Sequence, residues 1–325
     1  MKFDKRSKIF IAGHNGMVGT AIHKLLKKKG YKNIITISSK RLDLTNQKDV
    51  LKFFKKNKFD FVFQAAGKVG GIMSNSKYPK DFILTNTLIQ TNLIDSSYIT
   101  NVKRFLFIGS SCIYPKHCKQ PIKEEYFMTG PLEPTNRAMA TSKINGIEMC
   151  RSYNLQNSKT KYIVVMPCNL FGPKDNYHPI ESHVLAALLK RMHNAKIKKK
   201  EAIEIWGTGK VKREFLYSEE FAKACFHIMT MNKKKFDKFI FDKKKDYLPI
   251  INVGSGKEIS IKQLLNIISK VVKYKVKFKF NSKYPDGTPR KLLDIYELQK
   301  LGFKPKQNLM REIALSYDDF LKNSV

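Results

Sequence analysis

The groups best suited to chemistry fall in two stretches: Ser110-Ser111-Cys112, which follows an apolar run, and Asn136-Arg137-Ala138-Met139-Ala140-Thr141-Ser142-Lys143. Met139 and Lys143 are four residues apart, and on a helix residues i and i+4 share a face. A phenol at the first position would complete a proton-donating pair, because an ammonium nearby lowers a phenol pKa of about 10. Methionine has no proton to give. That single side chain therefore separates what the protein can bind from what it can catalyse. Taken alone, Cys112 reads as a core residue and His183 as a residue on a helix surface.

Binding is clearer. Ile9-Phe10-Ile11-Ala12 is an apolar strand ending in Gly13-x-x-Gly16-x-x-Gly19, with an amphipathic helix expected over Thr20 to Lys29. Glycines in such a turn let the backbone N–H groups of Asn15, Gly16, Met17 and Val18 approach a pyrophosphate, and the helix N-terminus adds partial positive charge. A carboxylate near the end of the second strand would accept the ribose hydroxyls of NAD. Ser38-Ser39-Lys40-Arg41 stands there instead. Hydroxyls and cations attract a 2′-phosphate, so NADPH is the expected cofactor, with Asp43 and Leu44 near the adenine and Ala65 and Ala66 bordering the dinucleotide.

Strands are expected at Asn33 to Ile37, Asp60 to Gln64, Arg104 to Ile108, Tyr162 to Met166 and Ile251 to Gly254. Helices are expected at Val50 to Lys56, Asp81 to Ser97, Ala138 to Asn157, Ser182 to Ala195, Phe221 to Met231, Ile261 to Val272 and Glu312 to Lys322. Their alternation predicts an α/β fold with a doubly wound parallel sheet of Rossmann type. The third strand is expected to close a βαβαβ half-unit. A smaller C-terminal α/β substrate domain follows, with the dinucleotide domain over 1–172 and returning segments near 213–255. Residues 173–212 and 256–325 form the substrate part. Lysine-rich Asn232 to Tyr247 reads as an exposed loop.

With 62 Lys+Arg against 27 Asp+Glu, the 325-residue chain carries a formal charge of +35. The lysines spread along the whole length with no basic tail or nucleic-acid module, so they read as solvated surface charge rather than a specific nucleic-acid surface. No run approaches the roughly 18 uncharged apolar residues of a membrane span, and the N-terminal residues lead straight into a strand. A cytoplasmic location with no membrane partner is expected. Five scattered cysteines show no zinc or redox spacing; they are expected to be reduced, with no metal.

Further motifs are Lys68-Val69-Gly70-Gly71-Ile72, Gly109-Ser110-Ser111-Cys112-Ile113-Tyr114-Pro115-Lys116, Leu132-Glu133-Pro134-Thr135-Asn136 and Asn169-Leu170-Phe171-Gly172-Pro173. To these add Asp175-Asn176-Tyr177-His178-Pro179, Ser182-His183-Val184, Arg213-Glu214-Phe215-Leu216 and Asp286-Gly287-Thr288-Pro289-Arg290-Lys291. Over nearly its whole length the chain resembles the GDP-L-fucose synthase family of extended short-chain dehydrogenase/reductases, NADPH-dependent enzymes acting on a GDP-4-keto sugar. The resemblance implies a tyrosine where Met139 stands. It also implies that Ser110 hydrogen-bonds the 4-keto oxygen, that Lys143 holds the nicotinamide ribose, and that Cys112 and His183 exchange protons at C3 and C5. Ser111 and Asn169 would border the sugar. Arg191, Arg213 and Lys291 would contact the diphosphate or sugar, Trp206 would offer a face to guanine, and a homodimer would form through the helices at Asp81 to Ser97 and Ala138 to Asn157.

Loss of a general acid typically costs about 100- to 10,000-fold in rate, while hydride placement and carbonyl polarisation survive. Three outcomes follow: proton delivery by Ser110 or a water linked to Lys143, delivery by Cys112 or His183, or an inactive GDP-sugar-binding relative. Reduction at C4 of a GDP-4-keto sugar, of 6-deoxyhexose or heptose type, is the expected activity, with full epimerase/reductase chemistry as the alternative.

Overall fold

The computed structural model describes residues 3–156, 159–178, 181–284 and 288–323. Asn157, Pro179, Asp286 and Gly287, named in the elements and motifs above, lie outside the described residues.

Six parallel strands form the main sheet: β1 (Ile9–Ala12), β2 (Ile34–Ile35), β3 (Phe61–Gln64), β4 (Arg104–Ile108), β5 (Lys161–Pro167) and β9 (Ile250–Val253). They are ordered β2-β1-β3-β4-β5-β9. Apart from two-residue β2, these strands are buried almost throughout, as a parallel sheet covered on both faces requires. The third strand does not extend the half-unit beyond β2. It crosses to the other side of β1, so the strand order reverses between β1 and β3 and opens a crevice at their carboxyl ends.

Helices α1 (Met17–Lys28), α2 (Gln47–Asn57), α3 (Ile72–Lys77), α4 (Pro79–Ile99) and α5 (Arg137–Leu155) belong to this part. So do α7 (Ser218–Thr230), α8 (Lys233–Ile240) and α10 (Tyr296–Lys300). Helix α1 packs on α7, and α4 on α5.

The lysine-rich segment is not a loop. Helix α8 buries Phe236, Phe239 and Ile240 in the main core, and the Arg104 guanidinium lies 4.1 Å from the Phe236 ring centroid. Apolar residues at i, i+3 and i+4 form a helical stripe, and the surrounding lysines hide it in the composition.

The remaining strands are β6 (Asn169–Phe171), β7 (Ala202–Trp206), β8 (Lys212–Tyr217), β10 (Glu258–Ser260), β11 (Lys277–Asn281) and β12 (Arg290–Lys291). Strand β8 pairs with β6, β10 and β12, and β7 pairs with β11. A second core gathers under α6 (Val184–Ile197), α9 (Ile261–Val272) and α11 (Leu309–Asn323). Ser260 caps α9 reciprocally with Gln263, fixing its start. Along β8, Leu216 joins the main core while Phe215 and Tyr217 join the second.

Candidate active site

The glycine turn has a steric reason for two of its three glycines. Gly13 has φ +81°, and a Cβ there would sit 2.6 Å from the Ala66 nitrogen. A Cβ on Gly19 would sit 2.1 Å from the Gly13 oxygen. Gly16 has room around it but caps α1 without any side-chain hydrogen bond. The first N–H groups of α1 are therefore left for an anion, the arrangement that receives a pyrophosphate. The residues present fit a dinucleotide.

From this turn a cleft of about 370 Å³ runs across the carboxyl ends of the strands to the second core. Gly16, Met17, Val18, Ala65 and Ala66 line one end; Ser110, Ser111, Cys112, Met139 and Lys143 line the middle; Asn169, His183, Arg213 and Lys291 line the other. The structure thus brings together most of the residues picked out from the sequence. It leaves Asn15, Ser39, Lys40, Arg41, Asp43 and Leu44 off the cleft walls. Ser39, Lys40 and Arg41 are exposed in the turn after β2. Asp43 accepts from the backbone and hydroxyl of Thr45 at 2.9 and 2.8 Å. Those bonds, the backbone one first, hold its carboxyl below the usual range.

Each central side chain is fixed by its element. Ser110 lies two residues past the end of β4, and its Oγ accepts from the Cys112 N–H at 3.4 Å. Lys143 on α5 donates to the Ile108 carbonyl at 2.8 Å and lies 4.6 Å from the Phe107 ring centroid. Burial pushes its pKa down to about 8, opposed by the Cys112 thiol. Met139 packs with Phe82, Cys112 and Ala140, and its sulfur accepts from the Asn86 amide at 3.3 Å. Ser142 is unavailable, since its hydroxyl donates to the Met139 carbonyl at 2.7 Å. No tyrosine lines the cleft among the described residues.

At the far end His183 precedes α6. Desolvation by the cleft walls, and then the Lys291 charge, lower its pKa. Asn169 donates to the Glu214 carbonyl at 2.8 Å. Buried Glu214 accepts from the N–H groups of Gly256 at 2.6 Å and Leu293 at 2.9 Å. It thereby ties the strand carrying Arg213 to the segment carrying Lys291.

A second cavity of about 230 Å³ continues from Asn169, His183 and Arg213 to Arg191, Trp206 and Tyr284. The Arg191 guanidinium lies 4.2 Å from the Trp206 ring centroid, and the Tyr284 ring stacks on Trp206 at 4.5 Å and 16°. Two groups so close cannot share one face. Trp206 is therefore covered on both faces and presents an edge, not the open face expected for guanine.

Glu133, Thr135, Asn136 and Thr288 belong to sequence motifs that carried no site role, and Gln64 and Tyr284 fall outside every motif; all six line the two cavities. Gln64 Oε1 and Asn136 Oδ1 are buried with no hydrogen-bond partner among the described residues, on side chains that line the cleft. A polar residue ending the apolar run Phe61-Val62-Phe63 was the available signal for Gln64, because ligands sit at strand carboxyl ends. Tyr284 gives no signal, since its role depends on a ring far away in the chain.

A glycine cradle at a helix N-terminus, beside a serine and a lysine at the strand ends of a doubly wound sheet, defines a dinucleotide-dependent oxidoreductase. Residues 9–242 match the NAD dependent epimerase/dehydratase family. GDP-L-fucose synthase 1 of Arabidopsis thaliana is 45% identical over 320 residues, covering 98% of this chain and 95% of that protein. GDP-L-fucose synthase of Escherichia coli (strain K12) is 42% identical, covering 98% of each. Among solved structures, a GDP-6-OMe-4-keto-L-xylo-heptose reductase from C. jejuni superposes with TM-score 0.93 at 35% identity over the whole of both chains. A GDP-mannoheptose C4 reductase from Campylobacter jejuni with NADP bound gives 0.87 at 36%, covering 98% of this chain and 99% of that one. The chain belongs to the NAD dependent epimerase/dehydratase family, in its GDP-L-fucose synthase group, and is an NADP-dependent oxidoreductase.

Proposed function

We propose that the protein reduces the C4 ketone of a GDP-4-keto sugar, of 6-deoxyhexose or heptose type. The observation that carries this reading is the single cleft in which the open N-terminus of α1, the Ser110 hydroxyl, Lys143 and the cations Arg213 and Lys291 all meet. When bound, NADPH supplies the hydride. Ser110 donates to the ketone oxygen and polarises it. Lys143 orients the nicotinamide ribose. Arg213 and Lys291 hold the diphosphate, and guanine enters the cavity at Arg191, Trp206 and Tyr284.

Cys112 and His183 on the same cleft favour a second activity. A polarised ketone acidifies the protons at C3 and C5, and a thiol and an imidazole move protons near neutral pH. Epimerisation is then retained beside reduction.

Purified protein, NADPH and GDP-4-keto-6-deoxymannose or a GDP-4-keto-heptose test both parts. NADPH oxidation is expected with at least one of the two sugars; tight GDP binding with no oxidation at high protein concentration removes the reductase reading. In D2O, deuterium at C3 or C5 of the product is expected. Cys112→Ser should lower that exchange at least tenfold more than it lowers NADPH oxidation.

A further inference from the structure

Among the described residues the cleft holds no phenol, yet reduction of a ketone must end with a proton on oxygen. Ser110 and Ser111 are hydroxyls of high pKa, and the one cleft carboxylate among the described residues, Glu133, lies 2.9 Å from the Lys116 ammonium. Lys143 differs from all of these. Its ammonium has three N–H donors, and the Ile108 carbonyl accepts one of them. Of the described titratable groups, only the Cys112 thiol acts on it electrostatically, so no carboxylate pins the charge. Met139 is packed against Phe82 and Cys112 and held by Asn86, and Lys143 is the titratable side chain one turn further along the same face of α5.

Resting on the reductase reading, we infer that Lys143 is itself the acid: its ammonium gives a proton to substrate O4 as hydride reaches C4. The N–H bond breaks as the O–H bond forms, and the neutral amine left behind takes a proton back from solvent. NADPH is the reductant, so electrons and atoms balance. Burial places the ammonium where it is still largely charged at neutral pH but a far stronger acid than an exposed lysine, close to the optimum for proton transfer.

Lys143→Arg separates holding from donating, because arginine keeps the cation and its hydrogen bonds but does not lose its proton. With NADPH saturating for each protein, as set by fluorescence titration, single-turnover reduction by Lys143→Arg should fall about 100-fold or more, the typical cost of a lost general acid. Adding Met139→Tyr to Lys143→Arg should recover at least tenfold, because a phenol then supplies the proton. In the unchanged protein the reduction rate should fall as pH rises through about 8. Lys143→Arg that keeps turnover within tenfold, or a pH limb that persists unchanged in Lys143→Arg, overturns the assignment while leaving the reductase reading intact. No NADPH oxidation by the unchanged protein overturns both.

Discussion

Asn86 joins Met139 to the loop after β3. Its amide nitrogen reaches the Met139 sulfur at 3.3 Å and the Phe82 and Lys68 carbonyls at 2.8 and 3.0 Å, while its oxygen accepts from the Lys68 N–H at 2.8 Å. The thioether is thus part of the cleft wall. Met139→Tyr replaces wall with a phenol four residues before Lys143, and turnover on the 4-keto sugar should rise by up to about 100-fold, the lower end of what a general acid contributes. Stopped-flow NADPH oxidation measures it. Unchanged turnover would show that the tyrosine ring cannot reach O4 past Asn86.

Gly19 has no room for a side chain, and its substitution acts on cofactor affinity. Gly19→Ala pushes a methyl toward the Gly13 oxygen and opens the turn that aims the α1 amides. Losing two such N–H contacts at about 1 kcal/mol each weakens NADPH binding by roughly tenfold or more. Fluorescence titration reads this directly. Gly16→Ala, with room around it, should perturb the fold less, so a smaller loss of thermal stability is the matched control.

Burial raises the Glu214 carboxyl to about 7, against its backbone N–H donors. In the unfolded chain a glutamate titrates near 4.3. Between these values the folded state keeps a proton that the unfolded state has lost, so stability falls as pH rises, by roughly 4 kcal/mol across the window for this group. Glu214→Gln cannot titrate. Urea unfolding at pH 5 and pH 7.5 should show a flatter profile for the variant, although its absolute stability is lower. A slope equal to that of the unchanged protein would place the proton elsewhere, with Glu124 and Asp175, also raised to about 7 by burial, as the remaining carboxyls.

Phe236 is fully buried under the Arg104 guanidinium, which donates to the carbonyls of Met229 and Met231 at 2.8 and 2.7 Å. Phe236→Ala leaves a cavity beside a buried cation and should cost about 3–5 kcal/mol. A loop-like segment would lose almost nothing. The urea midpoint decides between these.

What the sequence discloses is local. The β1 turn and α1 are legible because glycine spacing, an apolar run and an amphipathic period coincide within residues 9 to 28. The Ser110 to Cys112 and Met139 to Lys143 groups are legible because each sits within one turn of its own element. Pairings between distant segments are not. Nothing near Arg213 announces that Glu258 lies opposite Glu214 across the strands, or that Arg290 pairs with Lys212. The Trp206 stack escapes for the same reason, since Tyr284 arrives only after β11. Helix α8 escapes differently: its three apolar residues keep a helical period, but lysine dominates the local composition.

The alternation along β8 has a mechanical side. A strand that sends Leu216 one way and Phe215 and Tyr217 the other is a beam shared by both cores. Melting either one strips apolar contacts from the other, so denaturant should unfold the protein in a single step, with sheet signal and Trp206 fluorescence lost together.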